Sequence, residues 1–330
     1  MDTSPGMRIA VLDDYHRVAH TLADWASLNS EVAFFDRPIA PADVPRVLGE
    51  FDTLVLMRER TAFPREVLEQ LPGLKLVVTT GMRNAAVDIA YLGERGVRVC
   101  GTSVPGYKNP GEQEWRGLPS TVEVAWALIL AVYKRVTSED RAIRRGIWQQ
   151  GMPHNLGGRT LGLVGLGRLG AEMVAPARAF GMEVIAWSQN LTPEQAQAAG
   201  VQYAPKEELL AAADVVSIHL VLSERTRGLI GAQELTLMKP TATLINTSRG
   251  PIVDEGALVA ALRDGTIAAA GLDVYDREPL PADSELLQLE NTVLLPHLGY
   301  VSEDTLRAMY EQCVADIAAY LAGSPIRVIA

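Results

Sequence analysis

Short runs of apolar and β-branched residues alternate with amphipathic stretches along the first hundred residues. The runs that predict strands are RIAVLDDY (8–15), TLVLM (53–57), LKLVVTT (74–80) and VRVCGTS (97–103). The stretch FPREVLEQL between the second and third run predicts a helix, and strands separated by helices in this way indicate βα units and a parallel sheet. The segment 104–120 then carries three Pro and three Gly without apolar periodicity, which indicates a connector and a domain boundary.

A second series of the same kind follows the connector. It opens with a long helix for which Ser120 and Thr121 offer an N-cap, and its apolar stripe consists of Val124, Ala125, Leu128, Ile129 and Val132. The strand candidates that follow are RTLGLV, MEVIAWS, DVVSIHL, TATLINTS, IAAAGLDVY and NTVLLPH. A final amphipathic helix, 305–321, precedes the run IRVIA, which resembles the opening strand, so we expect the chain terminus to return to the first domain. The pattern predicts two α/β domains of unequal size.

Composition and charge narrow the class of protein. The chain has 330 residues, of which 48% are apolar and 21% charged, as in a globular protein of about two domains. The formal charge of −10 disfavours nucleic acids and anionic membranes as partners. Because no signal peptide or long apolar span is recognisable, we expect a cytoplasmic protein. Cys100 and Cys313 lack the spacing of a disulfide framework or a zinc site, and no bound metal is expected.

A glycine fingerprint lies between the first strand of the second series and a stretch that can be helical. Gly165, Gly167 and Gly170 form the pattern GxGxxG after LGLV and before AEMVAPARAF. The first glycine permits a tight turn, the second lets a pyrophosphate approach the backbone, and the third lets helix and strand pack closely. The motif therefore predicts a dinucleotide whose pyrophosphate lies at a helix N-terminus.

The segment that would face the adenosine ribose carries no charge. An acidic residue is expected at the end of the next strand, where it holds the ribose hydroxyls. Here that strand ends in Ser188, Gln189 and Asn190. The missing carboxylate removes the repulsion of a 2′-phosphate, but no cation is present to attract one. We expect NAD as the cofactor, with NADP left open.

Three polar residues stand just past strand ends in the second series, where open parallel sheets bind their ligands. They are Arg249 in TLINTSRG, Glu278 in GLDVYDREPLP and His297 in TVLLPHLG. Histidine is the usual proton donor to a carbonyl that accepts a hydride, and a carboxylate on its other ring nitrogen stabilises the imidazolium. Arginine binds a carboxylate through two parallel hydrogen bonds. Singly, each residue fits an ordinary structural role, but together they predict an acid, its partner and a substrate ligand.

The sequence resembles the D-isomer-specific 2-hydroxyacid dehydrogenase family over nearly its whole length. The stretches that carry the resemblance are LGLVGLGRLG, ADVVSIHLVLSERTRGLIG, LINTSRGPIVDEGALVAALRDGTIAAAGLDVYDREPLP and NTVLLPHLGY. The resemblance implies a Rossmann-type, doubly wound parallel sheet in a cofactor domain over 104–298. It also implies a smaller, flavodoxin-like α/β substrate domain built from 1–103 and 299–330, an active site in the cleft, and a homodimer.

The same resemblance assigns site residues. The catalytic set is Arg249, Glu278 and His297. The cofactor contacts are Gly165, Gly167, Arg168, Leu169, Gly170, Ser188, Thr247, Ser248 and Asp273. The substrate contacts are Gly81, Met82, Arg83 and Asn84, whose backbone N–H groups receive the carboxylate, together with Arg58.

Two features of the first domain and the connector leave alternatives open. Arg58 and Arg60 either add positive charge to the site or form a solvated surface pair. The connector 104–119 is longer than the family pattern leads us to expect. Four of its residues are predicted to lie at a dimer contact rather than in the cleft: Tyr107, Lys108, Trp115 and Arg116.

The leading hypothesis is an oxidoreductase that transfers a hydride between NAD(P)H and the C2 carbonyl of a small, anionic 2-ketoacid of the glyoxylate and hydroxypyruvate type, giving a D-2-hydroxyacid. Two alternatives remain. One is a non-catalytic NAD(H)-binding sensor, like the transcriptional corepressors that share this fold. The other is a short-form D-3-phosphoglycerate dehydrogenase, in which Arg58, Arg60 and Arg83 meet a phosphate.

Overall fold

The computed structural model of the chain describes residues 7–103 and 118–330. These residues form two compact units. Unit 1 comprises 7–103 together with Ser302–Ala330, and unit 2 comprises 118–301. The four connector residues Tyr107, Lys108, Trp115 and Arg116 lie outside the described residues, so their placement at a dimer contact stays a prediction.

Helices and strands alternate through both units. The strands are β1 (Arg8–Val11), β2 (Glu31–Phe34), β3 (Thr53–Leu56), β4 (Leu76–Thr79), β5 (Arg98–Gly101), β6 (Thr160–Val164), β7 (Glu183–Trp187), β8 (Gln202–Tyr203), β9 (Val215–Ile218), β10 (Thr243–Asn246), β11 (Ala269–Leu272) and β12 (Thr292–Leu294). The helices are α1 (Ala19–Leu22), α2 (Val44–Leu48), α3 (Arg65–Leu68), α4 (Ile89–Glu94), α5 (Ser120–Tyr133), α6 (Val136–Ile143), α7 (Arg168–Glu172), α8 (Val174–Ala179), α9 (Pro193–Ala198), α10 (Lys206–Ala212), α11 (Ala232–Leu237), α12 (Glu255–Arg263) and α13 (Glu303–Leu321).

A five-stranded sheet forms the centre of unit 1. Its order is β2-β1-β3-β4-β5 and every neighbouring pair is parallel, which is the flavodoxin-like arrangement. β3 and β4 are buried at all four positions, as expected of central strands covered on both faces. β2, which the sequence analysis missed, is a half-exposed edge strand that begins with Glu31, so its hydrophobic signal is weak.

A seven-stranded parallel sheet forms the centre of unit 2. Its order is β12-β11-β10-β9-β6-β7-β8. The chain moves outward in one direction from β6 to β8 and in the other from β9 to β12. The point where the direction reverses therefore lies between β6 and β9, where doubly wound sheets bind their ligands. The predicted class, a Rossmann-type sheet with a flavodoxin-like companion, is confirmed. The two-residue edge strand β8 was not predicted.

Helix α5 packs against the β10, β11 and β12 side of this sheet. Its predicted stripe is core, because Ala125, Leu128 and Ile129 are fully buried. The predicted N-cap is wrong: Pro119 is the N-cap residue and Ser120 is already helical. The reason lies in the backbone, since the carbonyl of Pro119 already accepts hydrogen bonds from the N–H groups of residues 122 and 123.

Helix α13 and the chain terminus complete unit 1. The helix begins at Glu303, with the Ser302 hydroxyl accepting a hydrogen bond from the N–H of Thr305, and it packs against α1, β4 and β5. The last residues run antiparallel to β5, where Val99 donates its N–H to the carbonyl of Ala330 and receives that of Ile329, both at 2.8 Å. The terminus thus returns to the first domain, as its sequence predicts.

Two features are absent from the described residues. None of their helices is long and apolar enough to cross a membrane. No group of three or more His, Cys, Asp or Glu side chains among them is placed to hold a metal ion.

Candidate active site

The glycine loop lies at the carboxyl end of β6, beside the end of β9. Gly165 has a φ of +110°, and a Cβ there would fall 2.6 Å from the carbonyl oxygen of His219. A Cβ at Gly170 would overlap the carbonyl oxygen of Gly165, whereas one at Gly167 would meet nothing within 4 Å. The first and third glycines therefore fold the loop against its own unit, and the second leaves an open face at the start of α7 where an anionic group can approach.

Ser188, at the end of β7, holds the same loop. Its hydroxyl oxygen accepts a hydrogen bond from the N–H of Leu166 at 3.1 Å, which leaves the hydroxyl hydrogen available to a ligand. Gln189 and Asn190 are exposed. Of the two helix residues assigned to the cofactor, Arg168 is exposed and Leu169 packs against the core of unit 2.

Thr247 and Ser248, at the end of β10, differ in what their hydroxyls do. The Ser248 hydroxyl donates to the carbonyl of Ile218 at 2.7 Å and so ties the ends of β9 and β10 together. The Thr247 hydroxyl is buried and has no hydrogen-bond partner among the described residues. A buried hydroxyl without a partner is costly, so this group is suited to a ligand at the sheet edge.

The turn that carries Arg249 is shaped by two residues that the sequence analysis did not single out. The buried Asn246 amide donates to the carbonyl of Arg249 at 3.0 Å and accepts the N–H of Ser248 at 3.0 Å. A Cβ at Gly250 would overlap the backbone of Tyr275, so only glycine lets this turn approach the loop after β11 so closely. The one indication in the sequence was that both residues lie in LINTSRG, the same short stretch that carries Arg249.

His297 and Glu278 form a hydrogen-bonded pair. Nδ1 of His297 lies 2.6 Å from Oε2 of Glu278, and Oε1 of Glu278 accepts the N–H of Tyr275 at 3.0 Å. Both side chains are partly exposed, with 29% and 34% of the His297 and Glu278 side chains accessible. The second ring nitrogen of His297, Nε2, is thus the one available to a substrate.

The electrostatics keep Glu278 ionised. Burial acts to raise its pKa, but the hydrogen bond and charge of His297, the N–H of Tyr275 and the charge of Arg249 outweigh it, so the pKa of Glu278 is lowered. The charge of Arg249 is the last of these contributions to the lowered pKa of Glu278. The structure therefore pairs Glu278 with His297, and the charge of Arg249 acts on the same carboxylate; the catalytic roles of the three residues stay predictions.

Asp273 holds the loop that carries His297. Its two carboxylate oxygens accept the N–H groups of Leu298 and Gly299, each at 2.7 Å, and the residue is fully buried. His297 itself has a φ of +56°, a left-handed conformation that few non-glycine residues adopt. Burial raises the pKa of Asp273, although the two N–H groups and His297 oppose the rise. This contact set makes Asp273 a positioning residue for the loop of His297.

Tyr300 and Tyr275 flank the pair. The Tyr300 ring packs edge-on against the His297 imidazole, with the ring centroids 5.6 Å apart. The Tyr275 hydroxyl donates to the carbonyl of Leu295 at 2.8 Å and so joins the loop after β11 to the end of β12. Neither tyrosine was predicted from the sequence, because aromatic residues in such segments read as ordinary core positions.

The substrate candidates of unit 1 lie past the ends of β3 and β4. Gly81 has a φ of +126° and donates its N–H to the hydroxyl of Thr102 at 3.1 Å. The N–H groups of the next three residues, Met82, Arg83 and Asn84, make no hydrogen bond to another described residue. The Asn84 side chain is buried and structural, since it donates to the carbonyl of Arg58 and to the hydroxyl of Thr79. Three consecutive backbone donors are the feature by which this loop can receive an anion.

The two arginines past β3 are held by their own unit. Arg58, with a φ of +52°, donates from Nη1 to the carbonyl of Thr80 at 3.1 Å. Arg60 donates to the carbonyl of Asp13 at 2.7 Å and stacks on the Tyr15 ring. Both guanidinium groups are partly buried rather than fully solvated.

Several known proteins are similar to this chain in sequence and in fold. Residues 126–299 match the family model described as D-isomer specific 2-hydroxyacid dehydrogenase, NAD binding domain. The glyoxylate reductase of Korarchaeum cryptofilum is 38% identical over 264 residues, which cover 78% of this chain and 76% of that protein. The hydroxypyruvate reductase of Blautia hydrogenotrophica is 29% identical over 334 residues, which cover 98% and 99%. A crystal structure of phosphoglycerate oxidoreductase from Vibrio cholerae O395 superposes with a TM-score of 0.87 at 32% identity, covering 96% of this chain and 100% of that one.

The matched segment contains the glycine loop, the Arg249 turn and the Glu278–His297 pair. The resemblance inferred from the sequence is confirmed. The chain belongs to the D-isomer-specific 2-hydroxyacid dehydrogenase family, and it is an oxidoreductase that uses a nicotinamide cofactor to interconvert D-2-hydroxyacids and 2-ketoacids.

Proposed function

We propose that this chain is a 2-ketoacid reductase for small, anionic substrates of the glyoxylate and hydroxypyruvate type. The observation that carries the proposal is the His297–Glu278 pair, in which Nδ1 is engaged by the carboxylate at 2.6 Å and Nε2 is left for the substrate. Relatives named glyoxylate reductase and hydroxypyruvate reductase support this substrate class. Unit 2 would act as the cofactor domain and unit 1 as the substrate domain.

The cofactor would be held at the switch point of unit 2. The open face at Gly167 suits the pyrophosphate, and the partnerless hydroxyl of Thr247 suits a polar group of the nicotinamide side. Ser188 would face the ribose. When bound, the nicotinamide supplies or accepts the hydride. We propose NAD rather than NADP, because Gln189 and Asn190 provide no cation for a 2′-phosphate.

The chain's own residues would bind the substrate and move the proton. Arg249 of unit 2 would bind the substrate carboxylate. In unit 1, the N–H groups of the loop 82–84 are the candidate donors to an anion. His297 donates a proton from Nε2 to the carbonyl oxygen during reduction and takes it back during oxidation. Glu278, which stays ionised, stabilises the positive charge on the imidazole while the proton is in place.

We also propose a homodimer. Apolar side chains on α6 and the segment after it are exposed, including Ile143, Ile147 and Trp148, whose side chain is 76% accessible. Exposed apolar residues concentrated in one segment are typical of a protein interface. Sedimentation at two concentrations tests this proposal, and Trp148→Glu should shift the protein toward a monomer. The cytoplasmic location expected from the sequence stays a prediction.

The test is a kinetic panel that crosses NADH and NADPH with glyoxylate, hydroxypyruvate, 2-oxobutyrate, phenylpyruvate and 3-phosphohydroxypyruvate. We expect NADH with glyoxylate or hydroxypyruvate to give the highest kcat/KM. His297→Ala should lower turnover by roughly 100- to 10,000-fold. His16→Ala, which removes an exposed imidazole from unit 1, serves as the matched control.

Two results would redirect the proposal. A clear preference for 3-phosphohydroxypyruvate would favour a phosphoglycerate dehydrogenase, in which Arg58, Arg60 and Arg83 meet the phosphate. NADH binding without turnover of any ketoacid would favour a non-catalytic sensor. If His297→Ala keeps the turnover of the wild type, the assignment of His297 as the acid is wrong.

A further inference from the structure

A cavity lies at the opposite edge of the unit 2 sheet from the glycine loop. It has a volume of about 290 Å³, and its walls come from the end of α5, from residues 152–159 and from the amino ends of β10, β11 and β12. We call it the amino-edge cavity. The volume is at the lower end of the range of small-molecule sites.

Two arginines in its wall, Arg135 and Arg159, make no side-chain hydrogen bond to another described residue, and their side chains are 39% and 45% exposed. Nε of Arg135 is buried and has no hydrogen-bond partner among the described residues; it lies 3.6 Å from Oε1 of Glu139, with which it forms an ion pair. Both oxygens of Glu139 are already used by backbone N–H groups, those of residues 150 and 151. A Cβ at Gly151 would overlap the Arg135 guanidinium, so the chain approaches this side chain closely. The Arg135 side chain is therefore held in place, while its Nε–H group has no hydrogen-bond acceptor among the described residues.

Arg159 also lacks a close acceptor, but its side chain is 45% exposed. Its Nη1 lies 3.6 Å from Oδ1 of Asp214, beyond ordinary hydrogen-bond range. That carboxylate is shared with Lys239, whose Nζ lies 3.0 Å from the same oxygen, and with the N–H of Thr160. Asp214 thus has little capacity left for Arg159, and the donors of this arginine also lack an acceptor among the described residues.

The remaining wall combines apolar surface with one exposed acid. Val132, Met152 and Pro240 contribute apolar atoms, while Glu290 lies on the rim. Guanidinium donors without acceptors beside apolar side chains match an organic anion that carries a carboxylate on a short apolar body. A cation of the same size would meet Arg135 and Arg159 and be repelled.

We propose that the amino-edge cavity is a second anion site of this protein, separate from the active site, which binds a small organic carboxylate through Arg135 and Arg159. The three strands that begin at this cavity end at the catalytic edge: β10 leads to Arg249, β11 to Asp273 and β12 to His297. The site is independent of the proposed substrate.

The experiment is a ¹⁹F NMR titration of 4-fluorobenzoate against the full-length protein saturated with NADH. A ligand this small should bind with a Kd on the order of 1 mM. The double variant Arg135→Gln, Arg159→Gln should weaken binding by about tenfold or more, since each arginine contributes charge-assisted hydrogen bonds. Arg144→Gln is the matched control, because Arg144 is exposed on the neighbouring helix end and pairs with Asp140.

Further arms make the outcome decisive. Ala268→Trp, which fills the cavity while leaving its charges, should also abolish binding, and it guards against misfolding of the double variant. Arg249→Gln should keep the binding, because it alters the active site alone. The proposal is overturned if 4-fluorobenzoate fails to bind, if 4-fluorobenzylamine binds equally well, or if binding is lost in Arg249→Gln and retained in the double variant.

Discussion

Replacement of Asp273 by Asn tests whether this residue positions the loop of His297. Each carboxylate oxygen of Asp273 accepts one backbone N–H at 2.7 Å, from Leu298 and Gly299, in a fully buried setting. Asn can offer one acceptor oxygen, so the other N–H would face an amide that is itself a donor. A hydrogen bond to a charged group is worth about 1.5–3 kcal/mol, and a buried donor left unsatisfied costs about 1–3 kcal/mol.

The net effect on unfolding should be about 3 kcal/mol, since relief from burying a charge offsets part of these costs. For a unit of this size that corresponds to a fall in Tm of roughly 6–12 °C. The released loop would let His297 leave its left-handed conformation, which costs a non-glycine residue about 1–2 kcal/mol. Because misplacement of a catalytic group by about 1 Å can cost 100-fold in rate, we expect kcat to fall by about that factor.

Thermal unfolding, steady-state kinetics and NADH titration measure the three quantities. Asp283→Asn, which changes an exposed acid in the loop after β11, is the control and should match the wild type. A positioning role lowers Tm and kcat while the Kd for NADH changes little. The reasoning is refuted if Asp273→Asn keeps the wild-type Tm and kcat, or if its main effect is on NADH affinity, as the cofactor contact expected from the sequence would imply.

Three further predictions concern the site and the stability of each unit. Glu278→Gln should lower kcat by about 10- to 100-fold. Because the pKa of Glu278 is lowered in the folded state, the wild-type protein should have a larger unfolding free energy than the variant at neutral pH, and this difference should shrink below about pH 4.5, as urea titrations at a series of pH values would show. Gly170→Ala should lower both Tm and NADH affinity, since its Cβ would overlap the carbonyl of the loop, whereas Gly167→Ala should weaken NADH binding alone; equal Tm values for both variants would contradict the packing argument. Burial raises the pKa of Asp316 to about 7, although the positive charge of its ion-pair partner Arg327 opposes the rise. The folded state therefore binds one more proton than the unfolded state between about pH 4 and 7, and the unfolding free energy should fall by about 4 kcal/mol as the pH rises through that range. Asp316→Asn should remove this pH dependence, and an unchanged dependence would show that another group binds the proton.

Much of the fold could be predicted from the local pattern of apolar and polar residues. Buried parallel strands are continuous apolar runs, so β3, β4, β6, β9 and β10 stood out without knowledge of their neighbours. The edge strands β2 and β8 were missed, because β2 is partly exposed at every position and β8 has only two residues, so neither carries a clear hydrophobic signal. The start of α5 was predicted one residue too late. A hydroxyl side chain was expected as the N-cap, but Pro119 is the N-cap residue and its carbonyl accepts the first hydrogen bonds of the helix.

The candidate catalytic residues could be named from the sequence because topology dictates their positions. Arg249, Glu278 and His297 each follow a strand of one parallel sheet, and the carboxyl ends of such strands meet at one edge. The residues that hold them were not predicted. Asn246 and Gly250 act through a buried amide and through a missing side chain, and neither leaves a periodic trace in the sequence.

The sequence by itself determined the class of fold, the glycine loop and the chemical types at the site, because periodicity, turn residues and side-chain chemistry are local properties. The tertiary structure decided which hydrogen-bonding atoms are already engaged within the protein and which remain available to a ligand. It shows that Nδ1 of His297 contacts Glu278, that both oxygens of Asp273 accept backbone N–H groups, and that Nε of Arg135 has no hydrogen-bond acceptor among the described residues. Such facts depend on contacts between residues far apart in the chain, and no local pattern records which hydrogen-bonding groups those contacts consume.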